Sequence, residues 1–222
     1  MIIDKDLTRY VKLVLAAILS GAVTIFVVIN SGYLQFLDSA IIGSVQKDQS
    51  GWLNGLYTFI TNLASPKIGI IWVLIMAFFL WGTKYKVPAI WAICTLIGGD
   101  AVGYIIKHLV QRPRPIFHLA HDTGFSFPSG HVLNTFLLIG IIWVIVLPII
   151  KSRKKVLIIQ ICTIIFMILV MLSRIYLNAH YPTDAIGAVC FGYTWLQVGQ
   201  LLYVYFAPII KNNVKLVNHS YI

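Results

Sequence analysis

Long apolar runs separated by short polar segments dominate the 222-residue chain. A helix that crosses the hydrocarbon core of a bilayer needs about 20 mainly apolar residues, and six runs approach or reach that length. Each of them therefore predicts a membrane-spanning helix. We expect the first to remain in the mature protein, because no clear small-residue cleavage site follows it. The predicted spans cover residues 11–29, 68–81, 87–110, 131–150, 156–175 and 184–207.

The segment between the first two spans has a different pattern. Across residues 31–67, apolar side chains recur at helical spacing among polar ones, which is typical of helices that lie along a membrane interface. Such helices would either gate lipid entry or brace the bundle, and an ordinary packed loop helix is the alternative. The predicted fold is an all-α, polytopic membrane protein with six transmembrane helices and one or two interfacial helices between the first and second spans. We expect a single domain over residues 1–222.

Composition and charge agree with a membrane protein. The chain is 59% hydrophobic and 11% charged, which is too apolar for a soluble domain of this size. Of its 17 Lys and Arg, 11 lie in the N-terminal segment, the turns at 82–86 and 151–155, and the C-terminal tail. The positive-inside rule assigns these segments to the cytoplasm and the loops at 31–67, 111–128 and 177–183 to the outside. We therefore expect a cell-membrane protein with both termini cytoplasmic and no nucleic-acid partner.

The unusual polar residues gather at the predicted outer ends of the spans. They are two cations around the end of the third span, a Ser-Gly-His triplet at the start of the fourth, an arginine at the end of the fifth, and a histidine and an aspartate at the start of the sixth: Lys107, Arg114, Ser129, Gly130, His131, Arg174, His180 and Asp184. Three cations and the N–H groups of a helix N-terminus suit a phosphate, whose charge spreads over its oxygens. Two histidines can divide the work, because one can attack phosphorus while the other protonates the leaving oxygen. A carboxylate bonded to the attacking ring would set its tautomer.

Other acidic residues give no sign of a metal site. The chain has seven Asp and no Glu, and the seven are scattered, so no set of carboxylates could hold Mg²⁺. We therefore predict a reaction without metal or other cofactor. Asp100, within the third span, is costly in a membrane and is expected either to pair with a neighbouring helix or to tune the pocket.

Three motifs within residues 107–184 resemble the signature of a known family. They are Lys107-x6-Arg114-Pro115, Pro128-Ser129-Gly130-His131, and Ser173-Arg174-x5-His180-x3-Asp184. In this order and spacing they are similar to the three-part signature of the type 2 phosphatidic acid phosphatase (PAP2) superfamily. That family includes integral-membrane lipid phosphatases and soluble vanadium haloperoxidases.

The resemblance implies a role for each matching residue. His180 would be the nucleophile that forms a phosphohistidine, Asp184 would orient it, and His131 would be the general acid for the leaving group and then the base for water. The phosphate oxygens would be held by Lys107, Arg114, Ser129, Gly130 and Arg174, and no metal would be needed. Three further polar residues of the loop lie outside the signature, and for them a solvated loop is favoured over substrate contacts: Arg112, His118 and His121.

The expected activity is hydrolysis of a lipid phosphate monoester or pyrophosphate. Short loops leave no soluble domain to select a substrate, so the lipid tail would enter between helices and its head would reach the outer pocket. An outward site favours undecaprenyl pyrophosphate, with phosphatidylglycerophosphate or phosphatidic acid as the alternative. A lipid phosphotransferase, which would use the same intermediate, is a further alternative. Two hypotheses come from other functional classes: a vanadate haloperoxidase, and a non-catalytic lipid transporter or scaffold. The sequence does not indicate the oligomeric state.

Overall fold

Helices make up the whole regular structure of the residues that the computed structural model describes, which are 1–48, 50–116 and 123–222. Within those ranges there is no strand. The eight α-helices in these ranges are α1 (Thr8–Val28), α2 (Gly32–Val45), α3 (Gly51–Leu63), α4 (Pro66–Gly82), α5 (Lys86–Val110), α6 (Gly130–Ile141), α7 (Arg153–Tyr176) and α8 (Pro182–Asn213). A short 3₁₀ turn, Lys215–Val217, lies in the C-terminal tail.

In the part of the chain that the structure describes, five or six elements can cross a membrane. Helices α1, α5, α7 and α8 are long and apolar enough, and so is α6 with its continuation to Ile149. Helix α4 joins α3 through a bend of 50°, and the pair provides a sixth span if it is counted as one. The predicted all-α, polytopic architecture with helices inserted between the first two spans is confirmed.

Helix α8 lies at the centre of the bundle, where it packs against α1, α5 and α6. Helix α5 also packs closely against α6, and the small size of its glycines permits this. A Cβ added at Gly99 would lie 2.3 Å from Cδ1 of Leu137, and one added at Gly103 would lie 2.3 Å from Cδ2 of Leu133. Both leucines belong to α6, so the α5–α6 contact depends on the absence of side chains at these two positions.

The fourth span departs from α-helical geometry before its end. After Ile141 it continues as a π-helical turn, Ile142–Val146, and then as a 3₁₀ turn, Leu147–Ile149. Pro148 has no N–H to donate to the preceding turn, so regular α-helical bonding stops there. The departure from α-helical geometry therefore begins at Ile142, more than one turn before the proline.

Asp100 pairs with a neighbouring helix, which is one of the two alternatives that the sequence left open. Nδ2 of Asn134, on α6, donates a hydrogen bond of 2.6 Å to Oδ2 of Asp100, on α5. The bond satisfies a polar group that would otherwise be costly inside the membrane. It links the two helices about one turn away from His131.

All the predicted site residues lie at one end of the bundle. Helices α5 and α7 end there, and α6 and α8 begin there. Helices α2 and α3 lie at the same end, since α2 contacts α7 and α8 and α3 contacts α7. At the opposite end the C-terminal tail packs on the α4–α5 turn, where the Tyr221 N–H donates to the Lys84 carbonyl at 2.8 Å.

Candidate active site

His180 lies in the short loop between α7 and α8 and is only 2% exposed. One ring nitrogen, Nε2, is 3.3 Å from Nη1 of Arg114. The other, Nδ1, is 3.4 Å from Oδ2 of Asp184, which is somewhat longer than a normal hydrogen bond. Because a guanidinium can only donate, the contact with Arg114 requires a lone pair on Nε2. The proton of a neutral His180 is then on Nδ1, facing the carboxylate.

The carboxylate of Asp184 is completely buried and accepts hydrogen bonds from two donors. Asp184 is in the first turn of α8, and its Oδ2 accepts a hydrogen bond of 2.9 Å from the Tyr181 backbone N–H that precedes the helix. Its Oδ1 accepts one of 2.6 Å from Nη1 of Arg112. A negative charge near a helix N-terminus is also favoured by the helix dipole. The orientation of this carboxylate is therefore determined by several contacts.

Local chain geometry brings His180 to this position. Helix α7 ends at Tyr176, and Asn178 adopts a left-handed conformation with φ 55° that reverses the chain, a common way to end a helix. The backbone N–H of His180 then donates to the Arg174 carbonyl at 3.2 Å. Pro182 begins α8, where its missing N–H costs nothing. The tight loop thus presents His180 directly before the N-terminus of α8.

Burial lowers the pKa of His180 to about 4, and the positive charges of Arg174 and Lys107 act in the same direction. The carboxylate of Asp184 opposes this change and offsets only part of it. The imidazole is therefore neutral at pH 7 and keeps the lone pair that a nucleophile needs.

This pKa predicts the acid limb of the pH profile. A histidine with a lowered pKa is protonated, and loses its lone pair, only when the pH falls through that lowered value. We expect kcat/KM, corrected for ionisation of the substrate phosphate, to fall with a midpoint near pH 4. An acid limb centred near the ordinary histidine value of about 6.5 would contradict the buried, neutral state described above.

The predicted phosphate-binding cations surround His180 and also hold the neighbouring loop. Nζ of Lys107 donates to the Phe125 carbonyl at 2.9 Å. Arg114 donates through Nε to the Gly124 carbonyl at 3.1 Å, and through Nη1 to the Ala179 carbonyl at 2.8 Å. These contacts fasten the segment before α6 against the loop that carries His180.

Arg174 approaches the site from the end of α7. Its side chain is 2% exposed, and Nη1 donates a hydrogen bond of 2.7 Å to Oγ1 of Thr61, on α3. Thr61 is itself buried. Helix α3 therefore contacts a signature residue directly.

The N-terminus of α6 meets that of α8 beside the catalytic histidine candidate. The Ser129 backbone N–H donates to the Asp184 carbonyl at 3.2 Å, while Gly130 and His131 form the first turn of α6. The buried hydroxyl of Ser129 has no hydrogen-bond partner within the described part of the chain. A buried polar atom of this kind at a helix N-terminus is suited to an anionic ligand. The structure thus brings the three sequence motifs together.

Two polar residues of this site were not expected from the sequence. Arg112 was predicted to be a solvated loop residue, and this is wrong, because its side chain is 12% exposed and donates to both Asp184 and Asp38. Asp38, on α2, was not singled out at all and is 2% exposed. A lone acidic residue on a helix otherwise composed of apolar and neutral side chains was the available signal. His118 and His121 lie outside the described residues.

Comparison with known proteins agrees with this geometry. Residues 88–208, more than half of the chain, match the PAP2 superfamily. The chain is 27% identical to phosphatidylglycerophosphatase B of Bacillus subtilis over 74% of its own length and 82% of the relative. It is 26% identical to undecaprenyl-diphosphatase BcrC of the same organism over 75% and 85%.

A solved structure is also similar. The crystal structure of a transmembrane PAP2 type phosphatidylglycerolphosphate phosphatase from Bacillus subtilis superposes with a TM-score of 0.71 at 25% identity, covering 93% of this chain and 98% of that one. The fold and these comparisons together identify a multi-pass membrane phosphatase, a phosphoric ester hydrolase. The chain belongs to the PAP2 superfamily.

Proposed function

We propose that this protein hydrolyses a lipid phosphate at the outer face of the cell membrane through a phosphohistidine on His180. The observation that carries the proposal is the position of the His180 ring between Asp184 and Arg114. One nitrogen faces a carboxylate that stabilises its proton, and the other presents its lone pair toward a cation that suits a phosphate oxygen. This is the arrangement that an imidazole nucleophile for phosphorus requires.

The reaction has two displacement steps. Nε2 of His180 attacks phosphorus, the bond from phosphorus to the ester or pyrophosphate oxygen breaks, and that oxygen leaves with the electron pair and a proton from His131. Water then attacks the phosphohistidine and gives a proton to His131, while the P–N pair returns to His180. Asp184 holds the Nδ1 proton throughout. Each step is displacement at phosphorus, assisted by fixed charges.

Binding of the phosphate would use the groups around the histidine. Three cations and the N-terminus of α6 supply donors for its oxygens: Lys107, Arg114, Arg174, Ser129 and Gly130. In this proposal the phosphate draws Arg114 away from Nε2 and frees the lone pair for attack. Lys107 and Arg114 would exchange part of their contacts with loop carbonyls for contacts with the phosphate.

The proposed substrate is undecaprenyl pyrophosphate. The distribution of Lys and Arg supports cytoplasmic termini and an outward site, because most of them lie at the end of the bundle opposite His180. A carrier lipid released as a pyrophosphate outside the membrane fits such a site. The relationship to undecaprenyl-diphosphatase BcrC supports the same choice.

Phosphatidylglycerophosphate is the second candidate substrate. The relative that is solved as a phosphatidylglycerolphosphate phosphatase matches over nearly the full length of both chains. Both lipids present a terminal phosphate to the same donors, so acceptance of both is chemically reasonable.

The experiment that tests the proposal compares the two lipids on the purified protein in detergent. Phosphate and dephosphorylated lipid are both measured, with each substrate at the same mole fraction. A larger kcat/KM for undecaprenyl pyrophosphate supports the proposal, and a larger one for the glycerolipid replaces it by the second candidate. If more dephosphorylated lipid than free phosphate is formed, the phosphoryl group has been transferred to an acceptor other than water. That result would contradict hydrolysis.

Removal of divalent metal should not affect the activity. Among the described residues, no three His, Cys, Asp or Glu side chains are placed to hold a metal ion together. In the mechanism above, the charge on phosphate is balanced by guanidinium and ammonium groups instead. We expect the same rate after dialysis against EDTA as before it. Strong inhibition that added Mg²⁺ reverses would contradict this prediction.

A further inference from the structure

Asp38 is the one residue of α2 that is buried. It reaches the start of α8 from an interfacial helix far away in sequence. We propose that Asp38 is a positioning residue for the reaction, which acts through Arg112 and Thr183 to hold the carboxylate of Asp184 against His180. The inference rests on the proposed function, in which Asp184 holds the nucleophile.

A continuous set of hydrogen bonds joins the two carboxylates. Arg112 donates from Nη2 to Oδ2 of Asp38 at 2.8 Å and from Nη1 to Oδ1 of Asp184 at 2.6 Å. The Thr183 hydroxyl accepts from Nη1 of Arg112 at 2.8 Å and donates to Oδ2 of Asp38 at 2.8 Å. The guanidinium of Arg112 is therefore joined to Asp38 both directly and through the Thr183 hydroxyl.

Asp38 also caps α8 from outside the helix. Its Oδ1 accepts a hydrogen bond of 3.0 Å from the Thr183 backbone N–H, one of the N–H groups that a helix leaves unpaired in its first turn. The next residue in the chain is Asp184. The carboxylate of Asp38 thus orients the first turn of α8 in two ways, through the Thr183 backbone N–H and through the guanidinium of Arg112.

Asp38 and Asp184 share the single positive charge of Arg112. Burial alone would lower the pKa of Arg112, but the carboxylates of Asp184 and Asp38 outweigh it and raise that pKa, so the guanidinium stays charged. The guanidinium carbon of Arg112 lies 4.0 Å from the centroid of the Tyr181 ring, and this stacking contact restricts its movement. Without Asp38, the full attraction of Arg112 would fall on Asp184. That carboxylate would then be drawn away from the Nδ1 proton of His180 and would stabilise it less.

Helix α2 is itself anchored to the segment that carries the histidine. Nε2 of Gln46, at the end of α2, donates to the Ile175 carbonyl at 3.0 Å and to Oδ1 of Asn178 at 3.2 Å. These contacts fix the end of α7 and the turn before His180. Asp38 is therefore presented from a helix that is held at two points, as a positioning group requires.

The experiment compares Asp38→Asn with Asp48→Asn in the full-length protein. Asp48 is an exposed acid that follows α2, so its amide is a matched control for the same chemical change. We expect kcat of Asp38→Asn to fall roughly 10- to 100-fold, because small misplacements of a catalytic group have costs of this size, with KM changing less than about threefold. Asp48→Asn should keep the wild-type kcat. An unchanged kcat in folded Asp38→Asn overturns the proposal.

A second comparison separates positioning from general structural support. If Asp38 acts through Asp184, then Asp38→Asn should lower kcat much less in an Asp184→Asn background than in the wild type. Equal losses in both backgrounds would overturn the inference. If Asp38→Asn fails to fold, Thr183→Val removes the hydroxyl between Asp38 and Arg112 and leaves both charges. We then expect a loss of kcat that Thr183→Ser does not show, and a fully active Thr183→Val would overturn the inference.

His180→Ala is measured alongside these variants. Normal turnover by His180→Ala would show that the proposed function has failed. Loss of turnover by His180→Ala together with normal turnover by Asp38→Asn would show that only the role of Asp38 has failed. The two failures are therefore distinguishable.

Discussion

Replacement of His180 by alanine should reduce kcat by about 10⁴-fold or more, since loss of a nucleophile removes the whole covalent route. The lone pair on Nε2 faces Arg114, and Nδ1 faces the buried carboxylate of Asp184. The remaining cations would still bind the phosphate, so affinity for the lipid should change less than kcat. The measurement is phosphate release from detergent-purified protein.

His219→Ala is the matched control for this prediction. His219 is exposed in the C-terminal tail, at the far end of the bundle, and its loss should leave kcat unchanged. Thermal unfolding of both variants shows whether the fold is kept. A folded His180→Ala variant with near-normal turnover would contradict the assignment of the nucleophile. Rapid quench of the wild type with labelled lipid should in addition trap an acid-labile phosphoryl group on the protein.

The second large effect is expected for Arg112→Gln. Arg112 is the bridge between two buried carboxylates, and its loss leaves Asp38 and Asp184 facing each other without a cation. Breaking a buried ion pair from one side costs about 3–5 kcal/mol of stability, because a charge remains buried without compensation. We therefore expect a marked drop in the apparent Tm together with a loss of kcat.

A double variant makes this prediction specific. Asp38→Asn combined with Arg112→Gln removes one carboxylate along with the guanidinium, so only one uncompensated charge remains. If the two substitutions destabilised the protein independently, the double variant would have a lower Tm than Arg112→Gln alone. We expect it to have a higher Tm instead. Arg153→Gln, at the exposed start of α7, is the matched control and should keep the wild-type Tm. A double variant less stable than Arg112→Gln would contradict the charge-balance argument.

Much of this molecule follows from local properties of the chain. The number and position of the apolar runs are set by the thickness of the bilayer, and the structure confirms an all-helical, polytopic fold. The three motifs alone predict that Lys107, Arg114 and His180 lie at the same end of the bundle. Their catalytic and binding roles stay predictions.

The sequence was least informative where a contact joins distant segments. Arg112 was predicted to be a solvated loop residue, because it lies outside the signature motifs. Its partner Asp38 belongs to a helix whose pattern indicated only an interfacial position. Thr61 likewise gave no local sign that it would bind Arg174. Such contacts depend on how helices pack around one another, which periodicity does not encode.

The sequence by itself predicted which residues would carry the chemistry and indicated at which end of the bundle they lie, because helix length and membrane thickness leave few alternatives for an apolar run. Only the tertiary structure decided what holds them. It placed the ring of His180 between Asp184 and Arg114, and it joined α2 to the start of α8 through Asp38. The reason is physical: a buried charge needs a partner, and which partner it finds is determined by the packing of helices that are far apart in the chain.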